Sequence, residues 1–264
     1  GQGLNAADPG LPVLVLGAGS GLEVPWELAP PQTIGWDAAP SSRLRTFLRH
    51  GRWAPWVFED LTGGLDEMAR TARRCLRQSW SGRARPVDVA AKRLAGLLPS
   101  LHPAAEPLRD WISMHGPGTI LAANVLGQLG SVAQVVVERA FGRHSPWRED
   151  PELADPLAEA LDAWTARAVR GLLEALDASG AELWMVHDRG VVFGAAPLRL
   201  GPWREPWIAQ LEGAPGFDVL DPLCGVEVPA QMPRYRVESR ERWIWELAPE
   251  QRHVVEALHL RPSR

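Results

Sequence analysis

A six-residue apolar run, LPVLVL (Leu11–Leu16), stops at three glycines within the next five residues. It has no polar face, which suits a strand buried on both sides of a parallel sheet. Similar short runs follow. TIGW (Thr33–Trp36) ends at Asp37, and WAPWVF (Trp53–Phe58) ends at Glu59-Asp60. TILAANV (Thr119–Val125) follows the turn HGPG. LWMV (Leu183–Val186) ends at His187-Asp188, and VVFG continues it past a bend at Gly190. Helices are expected over about Gly21–Ala29, closed by Pro30-Pro31, and over RLRTFLRH, opened by Pro40-Ser41-Ser42. Strand, helix, strand, helix, strand within about 50 residues predicts right-handed βαβ units and a parallel sheet.

The pattern changes after Thr62-Gly63-Gly64. Residues 65–116 have helical spacing, with breaks at Ser81-Gly82 and Pro99, and read as a helical insertion after the third strand. LGQLGSVAQVVVERAFG is expected to be helical, Pro146 to Pro156 a polar loop, and Leu157–Ala178 a long amphipathic helix. The C-terminal region, 194–264, is less regular. Phe217–Leu220, Arg242–Leu247 and Val254–Leu260 are candidate strands, the last equally compatible with a helix. Residues 1–10 read as a loose tail without a signal peptide, and 11–264 as one domain.

Composition narrows the function classes. No apolar run reaches the roughly 18 residues that span a bilayer. The net charge of −4 disfavours a general polyanion binder. Cys75 and Cys224 read as free thiols of a cytoplasmic protein, and no Cys/His spacing suggests zinc. Thirteen tryptophans against one tyrosine are scattered rather than periodic.

Glycines between a strand and a helix let backbone N–H groups approach a ligand. Here the spacing is GxGxG, Gly17-Ala18-Gly19-Ser20-Gly21. A P-loop needs GxxxxGK[ST], and a dinucleotide fold prefers GxGxxG, where residue 22 is Leu. Asp37 ends the second strand, about 20 residues past the first glycine, where a carboxylate can accept both ribose hydroxyls. Asp60 ends the third strand, within reach of an adenine amino group.

With LGAGSG (Leu16–Gly21), GWDAAP (Gly35–Pro40), FEDLTGG (Phe58–Gly64) and ILAANVLGQL (Ile120–Leu129), the chain resembles the class I S-adenosylmethionine-dependent methyltransferases. The resemblance covers about residues 11–193. It implies an α/β, Rossmann-like, mostly parallel seven-stranded sheet with helices on both faces and an antiparallel last strand. It implies S-adenosylmethionine as cofactor. By position, Leu16, Gly17, Ala18, Gly19 and Gly21 would lie along the methionyl part, Asp37 would hold the ribose, Asp60 with Leu61 would meet the adenine, and Asn124 would line the methyl-transfer pocket. The acid that many members carry two residues before the first glycine is Val15 here. The Asn-Pro-Pro-Tyr type of sequence after strand four is absent, which is more like the small-molecule members, and the acidic net charge favours a small-molecule or protein acceptor over nucleic acid.

No catalytic base stands out. His187 is the candidate, but neighbours on a strand point to opposite faces, so His187 and Asp188 are not expected to act as a dyad. Trp203 and Trp207 could form a lid over a substrate. Two other readings are an NAD(P)-dependent oxidoreductase, disfavoured by residue 22 and by Asp60, and a module that holds a cofactor without turnover.

Overall fold

A computed structural model of the chain describes residues 10–19, 24–80, 86–149, 151–194 and 218–263. Its strands are β1 (Val13–Leu16), β2 (Thr33–Trp36), β3 (Trp56–Val57), β4 (Thr119–Ala123), β5 (Glu182–Phe193), β6 (Asp218–Leu220), β7 (Tyr235–Ala248) and β8 (Gln251–Pro262). They form one sheet in the order β3-β2-β1-β4-β5-β8-β7, with β6 paired to β5 off that path. The first five strands are parallel. β8 pairs antiparallel with both β5 and β7, and β6 with β5. The fold is therefore Rossmann-like, with the antiparallel closing strand that the resemblance implies. The sheet has eight strands rather than seven, the extra one being the three-residue β6.

The apolar run at β1 accounts for the centre of the molecule. All four residues are fully buried. Leu14 and Leu16 enter the large core on one side, and Val13 and Val15 a small cluster on the other. The large core is covered by α2 (Leu65–Ser79), α3 (Pro86–Leu97), α4 (Glu106–His115), α5 (Val125–Phe141) and α7 (Pro151–Asp177). The three helices of 65–116 share this core through Met68, Leu94 and Leu108.

The opposite side is thinner. The helix expected over 21–29 is not formed where the chain is described. Trp26–Leu28 is a single 3-10 turn, preceded by Pro25 at ψ 79°. Proline lacks the N–H an α-helix would use there. Arg52 takes over as the turn's C-cap, donating to the carbonyls of Trp26, Ala29 and Pro30. The remaining helix of this side, α1 (Ser41–His50), buries Ser42 and Thr46 and exposes Leu44 and Leu48.

Other boundaries differ for local reasons. β3 is two residues, not six; Pro55 lacks the N–H for a longer ladder and contributes only its carbonyl, to Gly35. β4 ends two residues early because Asn124 adopts a left-handed conformation (φ 53°) and α5 begins at Val125. Between Pro146 and Pro156 the chain is helical, in α6 (Pro146–Glu149) and the first turns of α7. Proline at a first helical position sacrifices only an N–H that has no partner anyway. The bend at Gly190 is a β-bulge in one continuous strand, and β7 and β8 are long strands rather than short ones. No helix among the described residues is long and apolar enough to cross a membrane.

Candidate functional site

In the order 3-2-1-4-5 the chain moves one way from β1 to β3 and the other way from β4 to β5, so the crevice outside the carboxyl ends of β1 and β4 is the place for a ligand. Two clefts open there. The first, about 110 Å³, is lined by Gly17 after β1, Asp37 after β2, Asp60 and Leu61 after β3, and Val125 and Gln128 of α5. The second, about 390 Å³, is lined among others by Asn124, Gln128, Asp188, Asp162, Asp221 and His253. Gln128 borders both.

The structure thus brings Gly17, Asp37, Asp60 and Leu61 to one place, and Asn124 to the adjoining one. Leu16 and Ala18 are buried beside them. Gly21, Trp203 and Trp207 lie outside the described residues.

Each of these residues also has a local task. Gly17 (φ +62°) is bare because Val125 needs the space: a Cβ on Gly17 would sit 2.8 Å from the Val125 Cβ. Gly19 (φ +50°) donates its N–H to Asp37 Oδ2 at 2.9 Å. Asp37 Oδ1 accepts from the Ala39 N–H at 2.7 Å and the Ser42 hydroxyl at 3.1 Å. Asp60 caps α2: Oδ1 accepts from the N–H and hydroxyl of Thr62, and Oδ2 from the Leu65 N–H at 2.8 Å. A carboxylate has about four acceptor positions. Three are used on each aspartate, so each keeps one for a ligand. A hold on both ribose hydroxyls would require Asp37 to release one of these donors.

Asn124 joins β4 to β5. Its Oδ1 accepts the Asp188 N–H and its Nδ2 donates to Asp188 Oδ2, both at 3.1 Å. Gly127 leaves room for this pair, since a Cβ there would lie 2.9 Å from Asn124 Oδ1. His253 Nδ1 stands 3.1 Å from Asp188 Oδ2, not aligned for a hydrogen bond. Asp188 Oδ1 is buried and has no hydrogen-bond partner.

His187 faces away from both clefts. It is fully buried, 3.2 Å from Glu256, which Arg240 also contacts. Burial alone would push the Glu256 carboxyl up, but His187 and then Arg240 outweigh it and hold the group below its ordinary value. His187 and Asp188 do not form a dyad; the histidine beside Asp188 is His253, across the β5–β8 ladder. Only the pairing of two strands distant in sequence reveals it.

The second cleft is electronegative. Burial, and the nearby carboxylates of Asp221 and Glu159, raise the Asp162 carboxyl despite a hydrogen bond from Cys224. Burial, and then Asp162 and Asp221, push the Cys224 thiol up to about 12. Asp221 is the best compensated, with Arg189 at 3.6 Å and the N–H groups of Leu223 and Gly225. Among the described residues no cluster of His, Cys, Asp and Glu could hold a metal ion, and both cysteines are free.

No protein-family model matches the sequence, and no curated protein matches it. Among solved structures the chain is similar to the N-methyltransferase NodS from Bradyrhizobium japonicum WM9, at 12% identity over 99% of this chain and 93% of that one, TM-score 0.42. It is also similar to NodS in complex with S-adenosyl-L-homocysteine, at 11% identity over 94% of this chain and 78% of that one, TM-score 0.36. At these TM-scores the likeness carries no weight of its own.

Proposed function

We propose that the chain is an S-adenosylmethionine-dependent methyltransferase with a small-molecule or protein acceptor. One observation carries this reading. At the switch point of the sheet, a narrow cleft holding Gly17, Asp37, Asp60 and Leu61 adjoins a larger one, with Gln128 between them. That is the layout for a nucleoside cofactor beside its acceptor.

The residues fit the cofactor. Asp37 keeps one acceptor position for a ribose hydroxyl, and Asp60 keeps one for the adenine amino group. Leu61, Val125 and Leu129 supply apolar walls, and Gly17 the bare backbone for the methionyl part. When bound, the cofactor supplies an electrophilic sulfonium methyl. The chain's contribution is alignment of the two partners and exclusion of water.

Equilibrium dialysis against labelled S-adenosylmethionine tests the reading. Wild type should retain the label, Asp37→Ala should lose it, and Asp60→Asn should weaken it. Retention unchanged in Asp37→Ala would refute the assignment.

A second reading is favoured by the packing of Val125 on Gly17 and by the local hydrogen bonds that both aspartates already make. The same geometry also suits a fold maintained as a binding module. Methyl transfer to any acceptor would eliminate that reading.

A further inference from the structure

The second cleft combines three features. Its volume, about 390 Å³, falls in the roughly 300–1,000 Å³ range of small-molecule sites. Its charged lining among the described residues is acidic: Asp162, Asp188 and Asp221 line it, and no described Lys or Arg does. Asp188 is 6% exposed, yet among the described residues its Oδ1 has no hydrogen-bond partner, while Asn124 donates to Oδ2 and His253 stands 3.1 Å from it. A buried carboxylate oxygen left unpaired is costly, and a donor from a ligand would repay it. Trp147 and Trp245 supply aromatic surface beside it.

We infer that this cleft binds a small aliphatic or arylalkyl amine, with its ammonium group donating to Asp188 Oδ1. A cation meets three carboxylates and two indole rings, both of which favour it. An anion gains nothing from Asp162 or Asp188, and Arg189 beside Asp221 is already paired with Asp221 and Glu227. A neutral alcohol can satisfy Oδ1 but gains nothing from the charge.

As a site for the methyl acceptor, the assignment rests on the methyltransferase reading. The bound ammonium ion has no free electron pair. It gives one proton to the Asp188–His253 pair, and the freed lone pair forms the N–C bond as the C–S bond of the sulfonium breaks onto sulfur. The His253 side chain is 13% exposed and passes the proton to water.

Calorimetric titration with benzylamine, benzyl alcohol and benzoate, each with and without S-adenosylhomocysteine, tests this. Benzylamine should bind roughly tenfold more tightly than benzyl alcohol, the value of one charge-assisted hydrogen bond, and benzoate should not bind. Asp188→Asn should abolish the preference while leaving S-adenosylhomocysteine binding intact. Asp162→Asn, which changes a side chain on the cleft wall away from the sheet, should reduce it. Absence of benzylamine binding, or equal binding of amine and alcohol, overturns the inference. An amine preference without S-adenosylhomocysteine binding leaves the amine site standing and removes the methyltransferase reading.

Discussion

Gly17 and Gly19 look equivalent in the sequence, and the structure separates them. A side chain on Gly17 collides with Val125, whereas one on Gly19 has only the Gly17 carbonyl oxygen nearby, at 3.6 Å. Gly17→Ala should therefore destabilise by about 1–3 kcal/mol in urea unfolding, through overpacking added to left-handed strain. Gly19→Ala should cost about 1 kcal/mol, the strain alone. A result in the reverse order would contradict the packing account. The need for bare backbone was legible from the residues alone. Its cause was not, because Val125 reaches Gly17 only when β4 pairs with β1. Asp60 reads in the sequence as a strand-end acid, and the N–H of Leu65 shows that it also holds the first turn of α2. At the same scale, the Cys224 thiol, pushed up to about 12, and Cys75, raised by burial despite nearby arginines, should both resist iodoacetamide in the folded protein at pH 8. Fast alkylation of either without denaturant would show an accessible thiolate.

Between elements, the buried contact of His187 with Glu256 joins β5 to β8, and Arg240 extends it to β7. Glu256 has its folded pKa depressed below the ordinary 4.5. Its contribution to stability is therefore present above about pH 4.5 and is lost as pH falls through the folded value. Glu256→Gln should lower stability at pH 7 and flatten its decline below pH 5, followed by urea midpoints across that range. An unchanged acid limb would contradict the role of this group. The parallel strands were readable because burial on both faces leaves apolar runs with no alternative. The closing hairpin was not. Most of β7 is exposed, and its run YRVESRERWIWELA mixes charge with tryptophan on both faces. The same limit hid His253, which lies just outside the apolar part of β8 and matters only through its neighbour on β5. The missing helix after the glycines was foreshadowed by Pro25, whose effect outweighed the surrounding helix-forming residues.

For the molecule as a whole, the reversal of strand order beside β1 brings residues from four strand ends to one crevice, and this arrangement more than any single residue underlies the functional reading. The parallel sheet was foreseeable from strand–helix alternation, and the aspartates from their places at strand ends. The second cleft was not, since it is assembled from α5, α7, β5 and the C-terminal region, which are remote in sequence. Thermal unfolding of wild type and Asp37→Ala with S-adenosylmethionine, S-adenosylhomocysteine, NAD and NADP tests the central claim most directly. A ligand at about 100 times its Kd adds about 2.7 kcal/mol of stability. The account predicts an upward shift in Tm with the first two ligands only, lost in Asp37→Ala. A shift with NAD or NADP alone, or none with S-adenosylhomocysteine, would contradict it.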